Sequence, residues 1–253
     1  MRWWKKYMTA GLGLLFLLSC SFYYLSGYVT VSKNVNGKEL PICSVETKEK
    51  ELALTFNTAW NTTYLNQILE VLEDHSCKVV FFITGEWGKK HPEELKKIVE
   101  AGHEIGNLSW DHRNMMQLSE EEQKREIRDT HTMIKEMTGL EMKVFRMPYG
   151  AYDDAVIKSV TDQGYTPIQW SVDSKDWKDY GADEIIKEVL ENKNLKSGAI
   201  ILCHTNAKYT KEALDVLLGK LEEKGYQFVP VSQMLYEEPY HLDVTGRQIP
   251  DGI

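Results

Sequence analysis

From Glu51 onward, short runs of β-branched and aromatic residues alternate with longer stretches of helical period, and this alternation restricts the fold more than any other feature of the chain. A strand that returns to the same sheet through a helix runs parallel to its predecessor, so repeating the unit builds a parallel sheet covered by helices. The strand candidates are Leu52 to Phe56, Lys78 to Ile83, Glu104 to Asn107, Val144 to Arg146, Thr166 to Trp170, Ala199 to Cys203 and Gln227 to Val229. Between them the pattern predicts helices over Thr62 to Asp74, Pro92 to Ala101, Ser119 to Thr138, Asp153 to Gln163, Asp183 to Glu191 and Thr210 to Lys224. Their ends carry the expected signals: Ser119 with Glu122 for a capping box, Pro92 in a first turn, and Gly102, Gly139, Gly164 and Gly225 as left-handed C-terminal caps. Residues Ile127, Met133, Ile134 and Met137 form a core-facing stripe on the longest of these helices. The fold expected is α/β, a distorted (β/α) barrel of about seven parallel strands over residues 51–236. Residues 237–253, with two prolines and few apolar residues, are expected as a tail loosely attached or packed as a coil over one edge.

The N-terminus predicts one transmembrane helix. Arg2, Lys5 and Lys6 precede an uncharged stretch over residues 7–32, centred on Gly11 to Leu18, which is long enough to cross a bilayer. Positive charge before the span keeps residues 1–6 cytoplasmic, so the remainder is expected outside the cell membrane, joined by a linker over residues 33–50. A cleaved signal peptide lacks a small-x-small site here, and a lipoprotein signal ending at Cys20 would have bulky Leu18 in its lipobox.

A net charge of -8, with both signs mixed along the chain, supplies no cationic face for a polyanion and excludes nucleic acid as a partner. Cys20, Cys43, Cys77 and Cys203 form no Cys-x-x-Cys pair, so neither a disulfide framework nor a zinc ribbon is indicated.

In a parallel barrel the chemistry gathers at the C-terminal ends of the strands. Those ends read Phe56-Asn57-Thr58-Ala59-Trp60, Asn107-Leu108-Ser109-Trp110-Asp111-His112, Arg146-Met147-Pro148-Tyr149-Gly150, Asp173-Ser174-Lys175-Asp176-Trp177 and Leu202-Cys203-His204. Each cluster has a plain structural reading. Asp173 and Asp176 can organise a turn, Arg146 can be their ion-pair partner, Asp111 and His112 can solvate a loop, and His204 can be a satisfied buried histidine. The two aspartates lie in one loop, whereas a glycosidase needs carboxyl groups on opposite sides of a glycosidic oxygen. Trp60, Trp87, Trp110, Trp170 and Trp177 fall near strand ends, where indole faces can stack on sugar rings or fill the core. His75, His91, His103, His131 and His241 receive no role.

Taken together, the five clusters resemble, in order and spacing, the motifs of the polysaccharide deacetylase (NodB-homology, carbohydrate esterase family 4) domain. Asp173-Ser-Lys-Asp176-Trp177 matches Asp-x-x-Asp-Trp, Arg146-Met-Pro148-Tyr149 matches Arg-x-Pro-Tyr, and Leu202-Cys-His204 matches Leu-x-His. The Phe-x-x-x-Trp form around Trp60 is similar to a sporulation-associated bacterial subgroup. The resemblance implies hydrolysis of the N-acetyl amide of cell-wall or chitin-like N-acetylhexosamine with a divalent, zinc-like metal. It implies catalytic roles for His204 as general acid, Asp176 as the group that sets its tautomer, and Arg146 as the group that orients a base carboxylate. It also implies that the Tyr149 N–H stabilises an oxyanion and that Trp177 and Leu202 wall an acetyl pocket, with Asp173 and Trp60 as further substrate contacts.

The other half departs from the pattern. Thr-Phe-Asp-Asp-Gly becomes Thr55-Phe56-Asn57-Thr58-Ala59, and His-Ser/Thr-x-x-His becomes Leu108-Ser109-Trp110-Asp111-His112. Asn57 stands at the general base, while Thr58 and Leu108 stand at two metal-ligand positions and only His112 remains. A catalytic zinc site uses three protein ligands, and a neutral amide takes no proton from water near neutral pH. The metal is therefore expected to bind weakly or not at all, unless Asp111, His112 and His204 rebuild a site. Two functions remain open: a deacetylase of N-acetylated polysaccharide or peptidoglycan with altered catalysis, and a pseudoenzyme that binds glycan at the cell surface.

Overall fold

The structure, a computed structural model, describes residues 34, 35 and 37–252. The membrane span expected over residues 7–32 lies outside the described residues. Among the described residues, no helix is long and apolar enough to cross a membrane.

The strands are β1 (Ser44–Val45), β2 (Glu51–Thr58), β3 (Val80–Ile83), β4 (Glu104–Asn107), β5 (Val144–Phe145), β6 (Thr166–Pro167), β7 (Val172–Asp173), β8 (Ala199–His204), β9 (Gln227–Phe228), β10 (Tyr240–Leu242) and β11 (Arg247–Pro250). The helices are α1 (Leu65–Asp74), α2 (Gly85–Lys90), α3 (Pro92–Glu100), α4 (Glu120–Thr138), α5 (Asp154–Thr161), α6 (Ala182–Leu190), α7 (Thr210–Glu223) and α8 (Val231–Met234). One sheet holds these eleven strands in the order β10-β11-β1-β8-β2-β3-β4-β5-β6, with β7 paired to β8 and β9 to β2, and a separate two-stranded hairpin pairs Asn34–Val35 with Lys38–Glu39. Every pairing among β2 to β9 is parallel. The sheet curls into an incompletely closed barrel, an α/β half-barrel with helices outside.

Strand β2 lies at the centre. Leu52, Ala53, Leu54 and Phe56 are wholly buried, because the barrel interior covers one face and the helices the other. Its register sets the functional rim. Asn57 pairs level with His204 of β8, Thr58 with Ile83, Ile83 with Asn107, and Asn107 with Phe145. The strands therefore end at one height and their loops open on one side. Helix α4 begins at the Ser119 capping box and stops at Gly139, whose φ of 74° is the left-handed cap anticipated there.

Several boundaries differ from the sequence reading. The pair Val172–Asp173, read as the start of a loop, is an eighth parallel strand held against Ile201 and Leu202. Thr166 to Trp170 keeps strand pairing only over Thr166–Pro167. Its following bonds go instead to the N-terminal segment, with the Ile42 N–H donating to the Pro167 carbonyl and the Gln169 N–H to the Ile42 carbonyl. The sequence predicts a linker there, yet Ile42 and Val45 are buried and Ser44 pairs antiparallel with Ala199. It thus bridges the open side between β6 and β8. Residues 237–253, expected as a tail loosely attached or packed as a coil over one edge, do pack at an edge, but as the β10–β11 hairpin and not as a coil. Strand β11 pairs with β1 and buries Arg247 and Gln248, so backbone pairing holds what apolar content alone would not.

Gly198 fixes this closure. Its N–H donates to the Glu51 carbonyl, its own carbonyl accepts from the Val45 N–H, and a Cβ there would fall 1.8 Å from the Val45 oxygen. Gly225 has a similar φ but only the Lys50 side chain within reach, at 3.7 Å. Urea unfolding should show Gly225→Ala costing about 1 kcal/mol, the usual conformational penalty, and Gly198→Ala costing at least about 2 kcal/mol. Equal costs would mean that the N-terminal segment is not docked on the barrel.

Candidate active-site cleft

At the C-terminal rim a cleft of about 410 Å³ is lined by Asn57, Trp60, His112, Tyr149, Trp170, Asp173, Trp177, Leu202, His204 and Asn206. Eight of the site residues anticipated from sequence therefore meet in one space: Asn57, Trp60, His112, Tyr149, Asp173, Trp177, Leu202 and His204. Asp176, Arg146, Thr58 and Leu108 are wholly or almost wholly buried behind them.

The acid–base half is assembled. Asp176 sits in a short 3₁₀ turn, Asp176–Lys178, directly after β7, and its carboxylate accepts three hydrogen bonds. Its Oδ1 accepts from His204 Nδ1 at 2.8 Å, and its Oδ2 accepts from the His204 backbone N–H and the Thr210 hydroxyl, both at 2.7 Å. Three donors hold the carboxylate rigid, and its bond to Nδ1 leaves Nε2 of His204 as the ring nitrogen for the cleft. The remaining Asp of the motif, Asp173, turns its Oδ1 to the Lys175 N–H at 2.8 Å.

Arg146 emerges from β5 into the protein interior with no exposed surface. Its Nη1 donates to Asn57 Oδ1 at 3.1 Å and its Nη2 to the Gln169 carbonyl at 3.2 Å. The guanidinium lies 4.0 Å from the Phe82 ring centroid and 5.5 Å from that of Trp170. Among the described residues no carboxylate forms an ion pair with it, so the alternative of a structural pair with Asp173 or Asp176 is not realised.

Backbone strain places the aromatic and imidazole walls. Ser109 and His112 have φ of 67° and 62°, and the loop between them is braced by Asn107 Oδ1 and Ser109 Oγ, which accept from the Ser109 and His112 N–H groups. Glu126 of α4 accepts from the Trp110 and Asp111 N–H groups and pairs with Arg113. Tyr149, at φ 61°, stands over the cleft with its ring 4.6 Å from His112, and Trp60 closes the other side at 5.1 Å. Of the five tryptophans near strand ends, Trp60, Trp170 and Trp177 line the cleft, whereas Trp87 is core and Trp110 packs over Gly85.

The residues present do not fit a catalytic zinc-like ion. Thr58 Oγ1 and both ring nitrogens of His112 are buried without a hydrogen-bond partner, but this set is one imidazole, one hydroxyl and the alkyl side chain of Leu108. Among the described residues, no group of three or more His, Cys, Asp or Glu side chains is placed to hold a metal. A rebuilt site from Asp111, His112 and His204 is not formed: Asp111 turns outward to Arg113 and His204 Nδ1 is committed to Asp176.

Sequence reasoning missed Asn206 on the cleft wall, and the supports Glu126, Gln169 and Thr210. Asn206 lies two residues past His204 on the same rim, which is a usable signal; the three supports come from positions with no motif to mark them.

Burial, and then the neighbouring His204, push the His112 imidazole down to about 4; burial, and then Lys78, do the same for His103 below the barrel. Unfolded histidine titrates near 6.5, so between these values the unfolded chain binds protons that the folded chain does not, and stability rises with pH. Chemical denaturation across pH 4 to 6.5 should therefore show stability lost on acidification. His112→Phe should flatten that limb by up to about 1.4 kcal/mol per pH unit. An unchanged slope would mean that His112 is not buried as described.

The family model for polysaccharide deacetylase matches residues 44–168. A peptidoglycan-N-acetylglucosamine deacetylase of Bacillus cereus is 35% identical over 188 residues, covering 73% of this chain and 68% of that protein. Among solved structures, a family-4 carbohydrate esterase pseudoenzyme from Bacillus anthracis aligns with a TM-score of 0.75 and 36% identity, over 78% of this chain and 69% of that one. The peptidoglycan deacetylase PdaC of Bacillus subtilis aligns with a TM-score of 0.67 to 0.68 and 33% identity, over 75% and 92%. With the barrel, the ordered motifs and these relatives in agreement, the chain belongs to the polysaccharide deacetylase family, family 4 of the carbohydrate esterases.

Proposed function

We propose that the cleft holds N-acetylated glycan of the cell wall, peptidoglycan or a chitin-like polymer, and that the chain acts there as a hydrolase of carbon–nitrogen amide bonds with altered catalysis. The observation that carries this reading is the His204–Asp176 dyad, fully hydrogen-bonded and turned into an aromatic-walled cleft of sugar size. Trp60, Trp177 and Tyr149 offer faces for stacking on sugar rings, and each is half-exposed or more. Nε2 of His204 can hold a proton at the leaving nitrogen, and the Tyr149 N–H can donate to a developing oxyanion. The glycan named for the Bacillus cereus relative agrees with this substrate class. The N-terminal span, uncleaved, would tether the domain on the outer side of the cell membrane as a single-pass protein.

A second reading, a pseudoenzyme that binds glycan at the cell surface, is favoured by one specific observation: Asn57 at the base position is neutral and already hydrogen-bonded to Arg146, so it cannot take a proton from water. The Bacillus anthracis pseudoenzyme has a mutant with restored enzymatic activity, so this barrel can carry a silent site that is recoverable.

The full chain should be assayed for bound divalent metal, for binding of N-acetylglucosamine oligomers and for acetate release. The first reading expects release that falls at least about 100-fold in His204→Ala. Binding without release assigns the chain to the second reading, and neither binding nor release contradicts both. In that silent case Asn57→Asp, Thr58→Asp and Leu108→His together should create metal affinity; no gain would contradict the motif assignment.

A further inference from the structure

His131 belongs to no motif, yet it stands at the outer end of a hydrogen-bonded chain that reaches the wall of the cleft. The inner end is Asn107, wholly buried at the last position of β4. Its Oδ1 accepts from the Ser109 N–H at 2.9 Å, and its Nδ2 donates to the Ile127 carbonyl of α4 at 2.9 Å and to the Tyr165 hydroxyl at 3.2 Å. A backbone N–H only donates and a carbonyl only accepts, so Ser109 and Ile127 fix which way the amide points. Ser109 holds the next turn, its Oγ accepting from the His112 N–H. The Asn107 carbonyl accepts from the Arg146 N–H, so this one residue ties together the His112 loop, α4 and the strand that leads to Arg146.

From Tyr165 the chain runs outward. Burial pushes the Tyr165 phenol up to about 12, so it stays a hydroxyl with one hydrogen to give. Its oxygen accepts from Asn107, and its hydrogen goes to His131 Nδ1, 2.5 Å away. Across the ring, His131 Nε2 donates to Glu141 Oε2 at 2.8 Å. The neutral imidazole with its hydrogen on Nε2 is thus the form that gives every donor in the chain an acceptor. The charged groups about the ring are Glu141, just after α4, and Lys135, one turn along α4, which pair with each other; Tyr165, just before β6, is the titratable group on the inner side. A second proton, on Nδ1, breaks the match. Nδ1–H would donate to the Tyr165 oxygen, and the displaced hydroxyl hydrogen has no other partner among the described residues. A buried donor left without an acceptor is costly, and the bonds sharing that oxygen weaken with it.

We infer that Asn107 and Tyr165 are positioning residues for the cleft, and that His131 governs them from the surface: its neutral ring holds the Ser109–His112 loop in place, and its protonation releases the loop. Ser109 and His112 lie at φ 67° and 62°, in the left-handed region that non-glycine residues keep only while surrounding bonds hold them there. The bearing of this brace on glycan rests on the reading of the cleft given above. The His112 ring stands 4.6 Å from that of Tyr149, so a released loop withdraws the support behind one stacking face.

Hydrogen exchange of the full chain between pH 5 and 8, above the value of about 4 to which His112 itself is pushed, tests the brace. Read over the amides of the Ser109–His112 loop and corrected for the intrinsic effect of pH, protection should fall about tenfold as His131 gains its second proton. His131→Gln, whose side-chain oxygen can take the Tyr165 hydrogen at every pH, should keep the loop protected at pH 5. Tyr165→Phe should lower protection throughout and abolish its dependence on pH. A flat profile in the native chain, or the same fall in His131→Gln, overturns the inference; should Tyr165→Phe fail to fold, those two proteins still decide. In calorimetric titration, N-acetylglucosamine oligomers should lose about tenfold more affinity between pH 8 and pH 5 in the native chain than in His131→Gln. Equal losses overturn the link from the brace to the cleft. No binding at any pH removes the glycan reading instead, and the exchange profiles then decide the brace alone.

Discussion

Beneath the cleft, a guanidinium with no access to water and, among the described residues, no carboxylate paired with it is held by two oxygens and two aromatic faces. Burial pushes Arg146 down to about 9, which still leaves it a cation at neutral pH. Asn57 Oδ1, the Gln169 carbonyl, Phe82 and Trp170 share the task of solvating it. An uncompensated buried charge is among the more costly features a domain can carry. Its neighbours are accordingly constrained: Asn57 has one usable orientation, and Gln169 gives its backbone oxygen to Arg146 while its amide donates to the Met147 carbonyl.

From that constraint the two halves of the site follow. On the His204 side, the parallel register of β2 and β8 brings Asn57 level with His204, and Asp176 locks the imidazole from behind with donors on both carboxylate oxygens. On the His112 side, the loop after β4 is built with the same care, with two residues at positive φ and Glu126 bracing the backbone, although the groups it presents no longer suit a metal. The scaffold is thus that of an acyl-transfer site, and its base and metal-ligand positions are altered at Asn57, Thr58 and Leu108. Side chains of similar size have replaced charged or ligating ones, which a close-packed interior tolerates better than a change of volume.

Much of this was legible in the sequence because strand and helix periods are strong and because the motifs sit at strand ends. The central strands were placed nearly to the residue, and eight of the anticipated site residues share one cleft. The elements that carry no such signal share a physical cause. Val172–Asp173, Ser44–Val45 and the β10–β11 hairpin are strands of two to four residues, formed because a neighbour offers backbone partners and not because their side chains alternate. The segment around Ile42 reads as a linker for the same reason, since closing a barrel requires hydrogen bonds that leave no side-chain pattern. Asn57 in the sequence already implies that Arg146 loses its charge partner; that no other carboxylate among the described residues pairs with the arginine is visible only in the structure.

The account turns on that unpaired charge, and stability at pH 7 measures it most directly. Asn57→Asp should be introduced into the native chain and into an Arg146→Met background, with unfolding free energy measured for all four proteins. The substitution is predicted to stabilise the native chain by about 1–3 kcal/mol, through the ion pair it creates, and to destabilise the Arg146→Met protein, where the new carboxylate would be buried alone. An effect of the same sign and size in both backgrounds would show that Arg146 is already compensated, and would contradict the account.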